Sequence, residues 1–206
     1  MSGRKKKKNS TKEPLIVREL FDKSAHEAIR DFVNKTVPML PVSADDQEFV
    51  RHYMHNPRFF VDIHHQLTDF ASEQFGRKVK PSYCFLSMYK ENGICPLHID
   101  RPQCRYTIDY LIQITQTEPW PILIGEDMTD EERLAIDESG LGHPTNEEDI
   151  QARIKAEKWH EINLNENDAV LYSGTNAWHY RPNRLKETAD LIFFHFVPEE
   201  FDGSLD

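Results

Sequence analysis

Short segments in which apolar and polar side chains alternate dominate the chain from about residue 82 onward. In the clearest segment, 105–114, tyrosines and isoleucines form one face, and the other face carries Arg105, Thr107, Asp109 and Leu111. Such alternation with a period of two is typical of strands that bury one face. Similar segments follow one another without the βαβ alternation that parallel strands need, so the sequence predicts antiparallel β-sheets.

The region before these strands has helical periodicity. After a strand-like start at residue 15, residues 25–33 give an apolar helical face that Asp22 or Ser24 can cap. Residues 45–76 are predicted to form one or two further helices, the last of which ends at Gly76. Helices followed by short antiparallel strands predict a mainly β fold, a sandwich or jelly roll backed by N-terminal helices.

The composition narrows the classes of function. A chain of 206 residues suits one domain, and a net charge of −10 argues against nucleic acid as the main partner. No apolar run is long enough to span a membrane, and residues 1–14 are predicted to be a disordered basic tail, not a secretory signal. Three cysteines are an odd and sparse set, which indicates reduced thiols. These features predict a cytoplasmic protein with a single domain at 15–206.

Residues 125–159 interrupt the strands with a polar, acidic segment of high helix propensity. We predict that this segment is an insertion into the domain, with short surface helices and few core residues. A lid, a recognition element and a solvated decoration are all compatible with the pattern.

Three potential metal ligands occur in the strand region. His98 and Asp100 are two residues apart, so both side chains point to one face of a strand. His179 follows about eighty residues later, on another predicted strand. Two imidazoles and one carboxylate form the facial triad that binds non-heme Fe(II) and leaves positions open for a co-substrate and O2.

This H-x-D motif, followed by strands and a distal histidine, resembles the Fe(II)- and 2-oxoglutarate-dependent oxygenases over about residues 82–198. The prolyl-4-hydroxylase-like branch is the nearest. The resemblance implies a double-stranded β-helix in which His98, Asp100 and His179 bind Fe(II). It implies 2-oxoglutarate as the co-substrate and places Tyr89 in the co-substrate pocket. It also implies hydroxylation or desaturation, since halogenating relatives have a small residue at the position of Asp100.

The chain departs from this family where an arginine or lysine usually binds the far carboxylate of 2-oxoglutarate, about ten residues after the distal histidine. Residues 188–190, Thr-Ala-Asp, occupy that place. Arg181, two residues after His179, is the favoured replacement, because strand geometry turns it toward the same side as the metal ligand. Arg105 is the second candidate. A planar guanidinium binds a carboxylate through two parallel hydrogen bonds, which suits either arginine.

Asp109 lies in the middle of a strand-forming segment, where burial of an unpaired carboxylate is unfavourable. A salt bridge to Arg105 or Arg181 would compensate its charge. Alternatively, Asp109 binds an amine or hydroxyl of the substrate.

Other assignments fit the sequence less well. Cys95, His98 and Cys104 lack the close cysteine pair of a structural zinc site, and His195 lies deep in the last strand, as a core histidine would.

Two other functions stay open, a cupin-like iron dioxygenase that does not use 2-oxoglutarate and a non-catalytic jelly-roll binding module. The predicted partners are O2 and either a small amino-acid-like molecule or a protein side chain. Neither nucleic acid nor a membrane is expected.

Overall fold

The computed structural model describes residues 13–139 and 142–206. Residues 1–12, which make up most of the predicted basic tail, lie outside the described residues. The described part consists of two antiparallel β-sheets, one of seven strands and one of four, with helices outside each of them.

The larger sheet has the strand order β1-β9-β6-β11-β4-β3-β2, and every neighbouring pair is antiparallel. Its strands in chain order are β1 (Leu15–Val17), β2 (Ser43–Asp45), β3 (Arg51–His55), β4 (Val79–Tyr89), β6 (Tyr106–Ile114), β9 (Ala169–Tyr172) and β11 (Ala189–Pro198). The two long central strands, β4 and β11, pair along most of their length.

The smaller sheet has the order β5-β10-β7-β8. Its strands are β5 (Cys95–His98), β7 (Ile122–Ile124), β8 (His160–Ile162) and β10 (His179–Arg181). Two antiparallel sheets packed face to face, with consecutive strands divided between them, form the predicted jelly roll. The fold prediction is confirmed.

Three helices cover the outer face of the larger sheet, and their bounds are α1 (Lys23–Asp31), α2 (Arg58–Gln66) and α3 (Thr68–Phe75). Asp22 caps α1 by accepting a hydrogen bond from the N–H of Ala25 at 2.9 Å. Gly76 ends α3 with a left-handed φ of 67°, which a residue without a Cβ adopts at low cost. The tyrosine and isoleucine face of β6 packs under these helices, as its alternation predicts.

The prediction of helix throughout residues 45–76 is wrong for Arg51–His55, which form β3 and extend the larger sheet. Val50 and Asn56 flank the strand with positive φ angles of 56° and 48°, which no helix tolerates. Asn56 also precedes a proline, and that position disfavours helical backbone. The strand places Arg51 opposite Tyr89 on β4.

The acidic insertion forms α4 (Asp130–Ser139) and α5 (Glu147–Ala156). It is not a solvated decoration. Apolar side chains of the insertion pack on the outer side of the smaller sheet, against a cluster of Leu97, Ile99 and Trp178. The contributing residues are Met128, Ile136, Ile150, Ile154 and Trp159. These side chains are only partly buried, and no apolar residue in the described part of 125–159 belongs to the buried core, in agreement with the prediction of few core residues.

In the part of the chain that the structure describes, none of the helices combines the length and the apolar character that crossing a bilayer requires.

The packing of the helices on the larger sheet yields a stability prediction. Phe194 on β11 is fully buried and contacts Phe60 and His64. We expect Phe194→Ala to lower the free energy of unfolding by about 3–5 kcal/mol, because it removes a large buried ring and leaves a cavity. Leu134→Ala, at a side chain that is 60% exposed, is the control and should change it by less than about 0.5 kcal/mol. Urea unfolding curves measure both, and equal effects would contradict this assignment of the core.

Candidate metal and ligand site

A cavity of about 840 Å³ lies between the two sheets. This volume is in the upper part of the range of about 300–1,000 Å³ that small-molecule sites occupy. Aromatic side chains of the larger sheet form one wall, and β5 and β10 form the other. The ring-bearing wall residues include Tyr53, Tyr83, Phe85, Tyr89, Tyr172 and Phe193.

The structure brings His98, Asp100 and His179 together on one wall of this cavity. His98 and His179 are direct partners across the antiparallel β5–β10 pair, and their ring centroids are 4.2 Å apart. Asp100 follows β5, and its Oδ1 lies 3.5 Å from Nε2 of His98 and 3.8 Å from Nε2 of His179. The three potential ligand atoms lie within 4.8 Å of one another, which is close enough to share one metal ion.

Backbone carbonyls orient both imidazoles. Nδ1 of His98 donates to the carbonyl of Pro96 at 2.7 Å, and Nδ1 of His179 donates to the carbonyl of Ala177 at 3.0 Å. A carbonyl only accepts, so the proton must be on Nδ1 and the lone pair of Nε2 faces Asp100. Hydrogen bonds of this kind fix the tautomer of metal-binding histidines in proteins.

The protonation states suit a cation. Burial lowers the pKa of His179 to about 4, so that its ring is neutral near neutral pH. Burial acts to raise the pKa of Asp100, but His179 and His98 outweigh it and hold that pKa below its usual value. The cluster thus offers one carboxylate charge and imidazole lone pairs in a buried place.

Gly174 makes room for the Asp100 carboxylate. A Cβ on residue 174 would lie 2.2 Å from Oδ2 of Asp100 and 2.5 Å from the carbonyl oxygen of Cys104. The carbonyl of Gly174 also accepts a hydrogen bond from the N–H of Asp100 at 2.9 Å. A side chain at residue 174 would therefore displace the carboxylate.

A second potential ligand group, formed by Asp100, Cys104 and His195, shares the carboxylate. Burial raises the pKa of the Cys104 thiol well above its usual value, so that it stays protonated near neutral pH. The thiol is also hydrogen-bonded to the hydroxyl of Tyr83 at 2.8 Å. A protonated thiol is a poor ligand, which makes this group the weaker of the two.

Arg181 and Asp109 form a buried ion pair, with Nη2 of Arg181 3.2 Å from Oδ2 of Asp109. The guanidinium also donates to the carbonyl of Trp120 and lies over the indole ring, 4.3 Å from its centroid. Oδ1 of Asp109 is buried and has no hydrogen-bond partner. Burial raises the pKa of Asp109 to about 6, and Arg181 acts in the opposite direction.

Of the other predicted site residues, Tyr89 lies in the cavity and Arg105 lies outside it. Tyr89 lines the cavity, and its ring packs edge-on against Trp120 at 4.9 Å. Arg105 lies outside the cavity, and its guanidinium contacts Thr175, Asn176 and Asp130. Of the two arginines considered for a carboxylate, only Arg181 lines the cavity.

Arg51 and His143 are among the cavity residues that sequence reasoning missed. His143, from the insertion, stacks on His98 with ring centroids 5.1 Å apart. No pattern in the sequence links His143 to β5. Arg51 could have been found from the alternation of residues 51–55 before an Asn-Pro pair, which favours a strand over a helix.

The hydrogen bonds of the cluster predict the tautomer of its histidines. In the metal-free protein near neutral pH, we expect the proton of the His179 ring on Nδ1 and an unprotonated Nε2. Nitrogen chemical shifts from two-dimensional NMR of the labelled protein report this state directly. The exposed His65 is the control, because no such carbonyl contact constrains its ring. An Nε2–H tautomer at His179 would contradict the arrangement of donors described above.

No family model and no curated protein sequence matches the chain. Solved structures do match it in three dimensions. The non-heme alpha-ketoglutarate-dependent epimerase SnoN from nogalamycin biosynthesis has a TM-score of 0.67 and 10% identity, and the match covers 90% of this chain and 78% of SnoN.

Two further solved structures have the same architecture. HygX from Streptomyces hygroscopicus, solved with nickel and 2-oxoglutarate, has a TM-score of 0.59 and 12% identity over 91% of this chain and 84% of its own. A prolyl-4-hydroxylase from Pseudomonas putida has a TM-score of 0.59 and 8% identity over 90% of this chain and 92% of its own. The chain therefore has the fold of the Fe(II)- and 2-oxoglutarate-dependent oxygenases.

Proposed function

We propose that this protein is an Fe(II)- and 2-oxoglutarate-dependent oxygenase that hydroxylates its substrate. The observation that carries the proposal is the His98, Asp100 and His179 cluster, which faces a cavity between the sheets of a fold used by such enzymes. Two imidazoles and a carboxylate suit Fe(II) in particular, since they leave coordination positions open.

His98, Asp100 and His179 would hold the metal. The carbonyls of Pro96 and Ala177 keep both Nε2 lone pairs aimed at one point, so little reorganisation is needed on binding. When bound there, Fe(II) would supply the oxidative chemistry, in which O2 and 2-oxoglutarate give succinate and CO2 and one oxygen atom enters a C–H bond of the substrate.

Arg181 is the proposed anchor for the far carboxylate of 2-oxoglutarate. It lies two residues beyond His179 on β10 and faces the same cavity. Tyr89 lines the neighbouring wall, as the resemblance to prolyl-4-hydroxylase-like enzymes implies. Asp109 competes for the same guanidinium, so a carboxylate ligand binds well only if Asp109 is protonated.

The walls of the cavity would exclude water and position the substrate. Phe49, Phe85, Phe193 and Ile122 supply apolar surface around the cluster. The substrate class that fits best is a small amino-acid-like molecule or a protein side chain. The Arg181–Asp109 ion pair supports the salt bridge considered for Asp109, and contact of Asp109 with a substrate amine or hydroxyl is the alternative.

Removal of a proposed ligand should abolish both metal binding and turnover. We expect His98→Ala, Asp100→Ala and His179→Ala each to weaken Fe(II) binding by at least about a hundredfold, since loss of hydrogen bonds to such ligands already costs about 10–100-fold. Anaerobic Fe(II) titration measures binding, and succinate formation under air measures turnover. His65→Ala and Asp62→Ala, both at exposed positions, are the matched controls and should behave like the wild type.

The outcomes separate the candidate functions. If the three variants bind Fe(II) as the wild type does, the metal assignment is wrong, and a non-catalytic binding module is favoured. If iron binds but 2-oxoglutarate does not, and no succinate forms, a dioxygenase that does not use 2-oxoglutarate is favoured, with the Arg181–Asp109 pair purely structural.

The Asp109–Arg181 pair predicts a pH dependence of co-substrate binding. The pKa of Asp109 is about 6, so its carboxyl group is ionised at pH 8 in the free protein and repels a dianion. Binding should therefore weaken as the pH rises from about 6 to 8, by up to about tenfold per pH unit. The titratable groups around Asp109 are Arg181, Asp100, Tyr89, Tyr172 and Cys95, and burial keeps the last three neutral in this range.

Asp109→Asn tests this dependence, because it removes the charge and keeps the shape. The dissociation constant of 2-oxoglutarate for the metal-loaded variant should change little between about pH 6 and pH 8, whereas that of the wild type rises. Asp62→Asn, at an exposed position, should show the same pH dependence of this dissociation constant as the wild type. If Asp109→Asn also shows the pH dependence of the wild type, Asp109 is not the group that causes it.

A further inference from the structure

Arg51 is a cation on the cavity wall that no carboxylate compensates among the described residues. Its Nη1 donates to the hydroxyl of Ser87 at 2.7 Å and to the hydroxyl of Tyr89 at 3.2 Å. Its Nε is buried and has no hydrogen-bond partner. The guanidinium is further enclosed by Phe49 and Phe85, whose ring centroids lie 4.0 and 5.0 Å from Cζ.

Three carboxylates line this part of the cavity, those of Asp45, Asp46 and Glu48, and none of them forms an ion pair with Arg51 among the described residues. Asp46 forms an ion pair with Lys90 at 2.5 Å, and Asp45 accepts hydrogen bonds from the backbone N–H groups of Gln47 and Glu48. Two further arginines line the cavity. Arg181 on β10 has Asp109 as its partner, and the exposed Arg101 has its guanidinium over the ring of Tyr83. Arg51 is half-buried without a carboxylate partner among the described residues, so a bound anion would neutralise its charge.

The hydroxyl groups around Arg51 strengthen its preference for an anion. A hydroxyl that accepts a hydrogen bond from a guanidinium keeps its own proton available for donation. Tyr89 lines the cavity, and burial raises the pKa of its hydroxyl to about 12, so this donor stays protonated. Guanidinium N–H groups and a phenol O–H next to one another form a site made of donors, which suits a carboxylate.

The position of Arg51 relates this donor site to the proposed metal. Phe49 lies between them, with its ring over the guanidinium and 6.1 Å from the ring of His98, centroid to centroid. Arg51 is on β3, three strands from β6 and its Asp109. At a strand spacing of about 4.8 Å, this separates the two strands by about 14 Å. One cavity thus holds three arginines, Arg51, Arg101 and Arg181, and Arg51 lies three strands from the Asp109 that pairs with Arg181.

We propose that Arg51 binds a carboxylate group of the molecule to be oxidised, so that the substrate is a carboxylic acid. The proposal rests on the proposed function, in which Arg181 binds the co-substrate and leaves Arg51 for the second ligand. The aromatic side chains around the guanidinium indicate that the carboxylate is attached to an apolar or aromatic group. Phe49 would then face both the substrate and His98.

The test compares two probes of nearly equal shape, benzoate and benzamide, on protein loaded with Zn(II) and 2-oxoglutarate, which does not turn over. Saturation-transfer NMR and calorimetry measure their binding. We expect the wild type to prefer benzoate, and Arg51→Gln to weaken benzoate binding by at least about tenfold while benzamide binding is unchanged. Arg51→Lys, which keeps a charge without the planar donor pair, should lose part of the preference. Arg184→Gln, at an exposed arginine outside the cavity, is the control.

The binding of 2-oxoglutarate shows whether Arg51 binds the substrate or the co-substrate. Its dissociation constant should be the same in Arg51→Gln and in the wild type, and a large increase would overturn the proposal by assigning Arg51 to the co-substrate. Equal benzoate binding by Arg51→Gln and wild type, or no preference of the wild type for benzoate, would also overturn it. If the wild type binds no 2-oxoglutarate with metal present, the proposed function fails instead, and the benzoate comparison without 2-oxoglutarate still decides the role of Arg51.

Discussion

The candidate site depends on one backbone register, the direct pairing of His98 on β5 with His179 on β10. Residues paired directly across antiparallel strands have side chains on the same face at the shortest distance that a sheet allows. Asp100 joins them because its N–H bonds to the carbonyl of Gly174, where the missing side chain leaves space for the carboxylate. A register shift of one residue would turn His179 to the other face and end the cluster.

Buried charge is the second constraint on this cavity. Asp100 keeps its charge because of the two histidines, and Asp109 keeps its partner Arg181, whereas Arg51 has only hydroxyl and aromatic contacts among the described residues. Arg51 is half-buried, so its charge is partly hydrated, and it lines the cavity where an anionic ligand could reach it.

The sequence predicted the parts of the site that depend on local geometry. The spacing of His98 and Asp100, the polar face of β6 and the parity of His179 with Arg181 follow from the two-residue period of strands. Five of the six site residues named for these reasons line the cavity, and Arg105 does not. Arg105 precedes β6, just after the short turn Pro102–Cys104, so alternation did not hold there.

Contacts between distant segments could not be predicted in this way. The stacking of His143 on His98 and the packing of the acidic insertion on Trp178 depend on tertiary structure, which leaves no periodic signal in a polar segment. Because one fold supports many reactions, the substrate must be inferred from such wall residues and not from the architecture. Arg51 belongs to β3, which lies between β4 and the short edge strand β2 of the larger sheet. The His98–His179 register belongs to the other sheet, so substrate preference can vary at β3 while that register stays fixed.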